Sequence, residues 1–165
     1  MKHIHHDEDG THFDSYFKYL ETVKNKMPPH VYQFASDYKY YSLDSHSSLH
    51  DAWLDYLKII EPAQGERKHN RNIEIQARFL APFHDKRIYI TYKNVLGFEL
   101  KTPETFEFHP GRTVQREGGH GDLSTHEIRI EEDSILVHEI EFFNGSNFII
   151  KCRDIIHSEK EYSYE

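Results

Sequence analysis

Three runs of alternating apolar and polar residues near the end of the chain constrain the fold more than any other feature. They are His126-Glu-Ile-Arg-Ile-Glu131, Ile135-Leu-Val-His-Glu-Ile-Glu-Phe-Phe143 and Phe148-Ile-Ile-Lys-Cys-Arg153. Alternation with a period of two puts residues i and i+2 on one face of a strand. Glu132-Asp-Ser134 and Asn144-Gly-Ser146 separate the runs, and Asn-Gly between alternating runs is a strong hairpin signal. The three runs therefore predict an antiparallel meander.

Three-residue loops at both turns set a register. Glu131 then pairs with Ile135, Ile128 with His138, and His126 with Ile140; Phe142 faces Phe148, Ile140 faces Ile150, and His138 faces Cys152. One face carries His126, Ile128, Ile130, Leu136, His138, Ile140, Phe142, Phe148, Ile150 and Cys152. The opposite face sets Glu127 against Glu139, with Arg129 diagonal to Glu139.

The rest of the chain supplies more strands and one clear helix. Tyr16, Phe17, Leu20, Val23 and Met27 recur at helical spacing within residues 13–27, and Pro28-Pro29 stops the helix. Val31-Tyr-Gln-Phe-Ala-Ser36 and Tyr38 to Leu43 are expected to be irregular or extended. Residues 49–60 suit either a helical stripe or a strand buried on both faces; a turn at 47–51 followed by a strand is favoured, because alternating Ile73 to Leu80 lies beyond a polar loop at 61–72. Arg87 to Tyr92 and Asn94 to Leu100 continue as strand, while 102–121 holds two Pro-containing turns and the run Glu117-Gly-Gly-His-Gly121, which is expected to be loop. The expected fold is mainly β (α+β): a single antiparallel sandwich or partly open barrel of six to eight strands with an N-terminal helix. Residues 1–12 are expected to be a flexible His-rich terminus, 13–157 the domain, and 158–165 a polar tail.

Composition narrows the function classes. The chain has 165 residues, enough to bury a core without staples, and its 11 Tyr, 11 Phe and one Trp argue against disorder. A net charge of −8 without a Lys/Arg block disfavours nucleic acid. No apolar run is long enough for a membrane span. The polar, acidic N-terminus does not resemble a secretion signal, and Cys152 is the single cysteine, so a reducing cytoplasmic location is expected.

Several segments carry a resemblance. Val31-Tyr-Gln-Phe-Ala-Ser-Asp37, Ser48-Leu-His-Asp-Ala-Trp-Leu54, Glu61-Pro62 with Gly65-Glu-Arg67, His84-Asp85, Gly119-His-Gly-Asp122 and Leu136-Val-His-Glu-Ile-Glu141 occur in this order. Over about residues 28–157 the chain resembles a family of uncharacterised bacterial proteins with this pattern. It is loosely similar to small β-rich domains that open a strand with Leu-His-Asp, some proposed as toxin-immunity proteins. The resemblance implies a bacterial origin and a single domain, and brings no activity.

Each possible chemistry has a plainer competitor. His50-Asp51 and His84-Asp85 look like the paired ligands of metal-dependent phosphohydrolases, yet both fall at turns, where Asp and His bond local backbone. His126-Glu127 and His138-Glu139 lie on strands, where adjacent side chains diverge, so neither dipeptide forms a zinc-protease site. His126, His138 and Cys152 are zinc-ligand types on one face, but a structural site takes four ligands, and a core face is favoured; no cofactor is expected, with zinc the alternative. Glu127, Arg129 and Glu139 form either a paired-carboxylate acid/base site or a solvated face, the latter favoured. Within Gly118-Gly-His-Gly-Asp122, His120 with Asp122 has the types for a general base and its orienter. Arg67 and Arg71 offer anion contacts. The leading expectation is a non-enzymatic binding domain with a protein partner, for which the resemblance suggests an immunity-like role; the alternatives are a His/Asp metal or acid/base enzyme and a small-ligand carrier. An exposed aromatic patch over a filled core favours the partner, a pocket with converging His and Asp the enzyme, and an apolar cavity the carrier.

Overall fold

Apolar alternation becomes strand along most of the chain. The computed structural model describes residues 1–62, 71–109, 112–115 and 119–163. In chain order the elements are β1 (His5–Asp7), β2 (Gly10–His12), α1 (Asp14–Val23), α2 (Pro29–Ser36), β3 (Trp53–Ile60), β4 (Ile73–Leu80), β5 (Lys86–Val95), β6 (Gly97–Lys101), β7 (Thr105–His109), β8 (Arg112–Gln115), β9 (Leu123–Ile130), β10 (Leu136–Phe142), β11 (Asn147–Cys152) and β12 (Asp154–Glu161).

Eight of these strands make two four-stranded antiparallel sheets, ordered β6-β11-β10-β9 and β12-β5-β4-β3; β1-β2 and β7-β8 are separate hairpins. The expected sandwich is the fold, at the upper end of the expected strand number. The sheets are linked where β5 runs into β6 and β11 into β12. Backbone bonds from Leu96 N to Lys151 O (2.8 Å) and from Arg153 N to Lys93 O (3.1 Å) keep the paired strands together through that bend. At the opposite end Trp53 bridges Asp122, and the Asp51 N–H donates to Leu123 O at 2.8 Å. Between the sheets Ile75, Phe79, Ile88, Ile90 and Tyr92 join Ile128, Leu136, Ile140 and Ile150 in a core exposed by 1% or less at each residue.

The β9–β10 register is the expected one, with Ile128 opposite His138 and His126 opposite Ile140. On the β10–β11 side it differs by two residues: His138 pairs with Ile150 and Leu136 with Cys152. The turn explains the shift. Gly145 N donates to Phe142 O and Phe142 N to Ser146 O, so Phe143, Asn144 and Gly145 form the loop, with Gly145 at φ +79°. A slip of two leaves every side chain on its expected face. Gly145→Ala should cost about 1 kcal/mol, since a Cβ is disfavoured in this left-handed conformation; urea denaturation reads it.

Several segments depart from expectation for local reasons. Residues 31–36 are helical, because Pro29 occupies the first helical turn and Val31, Phe34 and Ala35 share a buried face. α1 ends at Val23, although Met27 is still buried. β3 is not buried on both faces: it pairs only with β4, and Trp53, Ile59 and Ile60 are exposed. Residues 105–109 and 112–115, in the stretch expected to hold Pro-containing turns, form a hairpin. β1 and β2 pair within residues 1–12, Ile4 is buried, and β12 runs on to Glu161, past residue 157.

α1 finishes the free edge of β9. Tyr16 Oη accepts from Ile128 N (2.9 Å) and donates to Ile128 O (3.0 Å); Tyr19 Oη does the same at Ile130 (2.9 and 3.3 Å). Two phenols thus take the place of a neighbouring strand.

Candidate functional site

The inner face of β9 and β10 does bring His126 and His138 together, in the core. His126 Nδ1 lies 3.1 Å from His138 Nε2, and Tyr92 Oη lies 2.8 Å from His138 Nδ1. A directional chain accounts for these contacts without charge: Tyr92 donates to His138 Nδ1, and His138 Nε2–H donates to His126 Nδ1, while His126 Nε2 is buried without a hydrogen-bond partner among the described residues. Aromatic rings enclose it. The His126 imidazole lies flat against Tyr41 (4.5 Å, 4°) and near Phe34 (5.8 Å), and Phe34 stacks in turn on His157 (4.2 Å, 10°). Burial disfavours the imidazolium, pushing His126 down to about 3 and His157 to about 4, and His138 well below its ordinary range.

This arrangement leaves little for zinc. Both nitrogens of His138 and one of His126 are already bonded, and burial pushes the Cys152 thiol up to about 12, whereas the metal ligand is the thiolate. Among the described residues no three His, Cys, Asp or Glu side chains are placed to hold a metal ion.

The outer face of the same strands corrects an expectation. Glu127 does oppose Glu139, but neither is solvated: Glu127 is 0% and Glu139 8% exposed. Residues 1–4 cover them. Glu127 Oε2 accepts backbone N–H groups from Lys2 (3.1 Å), His3 (2.6 Å) and Ile4 (3.0 Å), while the Met1 ammonium lies 3.1 Å from Glu139 and 3.2 Å from Glu141. Arg129 Nη1 donates to both carboxylates, at 2.8 Å to Glu139 and 3.3 Å to Glu127. Burial acts to raise the Glu139 pKa, but the bonds from Arg129 and the Met1 ammonium outweigh it and hold the group below its usual range. A paired-carboxylate acid needs the reverse shift, so these side chains serve to anchor the covering segment.

His50, Asp51, His84, Asp85 and Asp122 lie at the end of the sandwich where β3, β5 and β9 begin. His50-Asp51 and His84-Asp85 both lie in tight turns, with Asp51 at φ +62° and His84 at φ +59°. His50 Nδ1 is 3.1 Å from its neighbour Asp51, and its ring is 5.6 Å from Phe143. Phe143 N donates to Asp122 O (3.0 Å), Asp122 bridges Trp53, and the Trp53 ring lies 4.5 Å from His84. Beyond it His46 bonds Asp85 at 2.5 Å and stacks on Phe83 at 4.1 Å. The two His-Asp turns are thus joined through Trp53. Phe83, Phe143 and Trp53 are all exposed here.

His120 turns away from this surface. Its ring packs on Phe142 and Phe148, and Nδ1 lies 3.1 Å from Ser146 Oγ, while Asp122 is exposed. Asn144 Nδ2 donates to Gly119 O at 2.7 Å. Arg67 lies outside the described residues; Arg71 is 3.8 Å from Glu61. Sequence reasoning did not single out Trp53, Phe83, Phe143 or His46. The available signal was an aromatic residue beside each turn, in Pro82-Phe83-His84-Asp85 and in Phe143-Asn144-Gly145. No protein-family model, no curated protein and no solved structure matches this chain.

Proposed function

We propose that the protein is a non-enzymatic interaction domain whose contact surface is the end built around Trp53. One observation carries this: Trp53 (48% exposed), Phe83 (49%) and Phe143 (54%) are gathered at one end of a fold whose interior is filled by its own rings. Large aromatics held half-exposed on a rigid frame are common anchors of protein contacts. His126 and His138, bonded to each other in the core, and Glu127 and Glu139, tied to residues 1–4, support the same view. An inhibitory, immunity-like role fits the resemblance of the chain, and the buried Cys152 thiol fits a reducing cytoplasmic setting. No helix among the described residues is long and apolar enough to cross a membrane.

Site-specific photocrosslinking in cells tests the proposal. A benzophenone side chain at position 83 or 143 should give an adduct of one defined mass, and one at Thr22 on exposed α1 should not. Trp53→Ala should weaken the contact about tenfold or more, as loss of an anchor does. Equal labelling from all three positions, or no discrete adduct from 83 and 143, would remove the Trp53 end as the interface.

A further inference from the structure

The charges around these rings describe the partner. Asp51 and Asp85 keep 47% and 41% of their side chains exposed, and Asp44 and Asp122 are exposed on the same loops. The ion-pair partners of Asp51 and Asp85 among the described residues are His50 and His46, and neither is a lysine or an arginine. Lys86 starts β5 at this end but is directed to Glu159 (3.6 Å), Glu161 (3.8 Å) and Ser47 (3.4 Å). Three half-exposed rings are therefore set beside carboxylates that form no ion pair with a lysine or arginine among the described residues.

Resting on the interface reading above, we propose that this surface takes an arginine-bearing segment of another protein. A guanidinium lies flat on an aromatic face while its edge forks a carboxylate, which an ammonium cannot do. The chain builds that combination internally on the outer face of β3–β5. There Arg78 lies over Tyr56 (4.6 Å) and bonds Asp55 (2.9 Å), and Arg87 lies over Tyr162 (3.9 Å) and reaches the same Asp55 at 3.3 Å. At the Trp53 end the rings and carboxylates are present and the guanidinium is left for the partner.

Trp53 is the chain's single tryptophan, so its emission reports directly on the surface. Titration with tetra-arginine amide should give a saturable change, roughly threefold tighter than with tetra-lysine and weakened between about 50 and 300 mM salt. Asp51→Asn/Asp85→Asn/Asp122→Asn should weaken it about tenfold, and asparagine tolerates the left-handed turn at position 51. Glu131→Gln/Glu132→Gln/Asp133→Asn, a charge-matched change at the opposite end, should stay within about twofold. No saturable change, an equal response to tetra-glutamate, or equal losses in the two triple variants would overturn the proposal. Crosslinks from positions 83 and 143 that survive the Asp51/Asp85/Asp122 change would leave the interface standing and remove the arginine partner; their absence in the unaltered protein would remove the surface itself.

Discussion

Stability should collapse between about pH 6.5 and 4, with the steepest loss near pH 5. Three imidazoles, those of His126, His138 and His157, have folded-state pKa values depressed by burial, two of them to about 3 and 4. The sign follows from proton counting. Below the ordinary pKa of about 6.5 the unfolded chain takes up these protons while the folded chain refuses them. The contribution is thus fully present above that value and is withdrawn as pH falls towards the folded values. Three protons taken up only on unfolding give a slope of roughly 4 kcal/mol per pH unit in mid-window. A typical stability of about 5–15 kcal/mol would be largely used up within two to three units. The groups facing the imidazoles do not oppose this: Tyr40, Tyr41 and Tyr92 have pKa values raised above an already high range, chiefly by burial, and Glu159 is depressed like the histidines. Urea denaturation at about pH 7, 6 and 5 measures the slope, and a change under roughly 1 kcal/mol per unit would mean that the core accepts protons as readily as the unfolded chain.

Glu127→Gln should be the most damaging isosteric change in the protein. One fully buried carboxylate oxygen accepts three consecutive backbone N–H groups, and the other takes Arg129. An amide turns one acceptor into a donor, which must then face either those N–H groups or the guanidinium. Breaking a buried charged network by removing one partner costs about 3–5 kcal/mol. The same substitution at Glu139, nearer the rim, should cost less. The local readout separates this from general destabilisation: the amides of Lys2, His3 and Ile4 should lose their downfield shifts and exchange protection before the strands do. A variant that keeps both, with a midpoint shift worth under about 1 kcal/mol, would show that the covering segment is held by other contacts.

What sequence conveyed and what it did not divides along contact range. Turn length and alternation fixed which side chains of β9, β10 and β11 share a face, and a two-residue error in one register changed pairing without changing faces. The His-Asp dipeptides were legible as turns because their chemistry is local. α2 was missed because Pro28-Pro29 reads as a stop, while Pro29 also opens the next helix. Coverage was not legible at all. Glu127 and Glu139 alternate correctly for a solvated face, and only the return of residues 1–4 from more than 120 positions away buries them. Exposure of Trp53 was hidden for the converse reason, since an apolar strand looks the same at the edge of a sheet as in its middle.

The tyrosine hydroxyls on β9 carry a consequence for how the chain is made. Ile128 and Ile130 have their backbone groups satisfied by side chains of a helix, and a helix can undock as a unit where a paired strand cannot. When α1 lifts away, two amide–carbonyl pairs at the spacing of a β-ladder become a template for any passing strand, including a second copy of β9. Synthesis runs in the protective direction. α1 precedes β9 by about a hundred residues, so the lid is available before the edge it closes has left the ribosome.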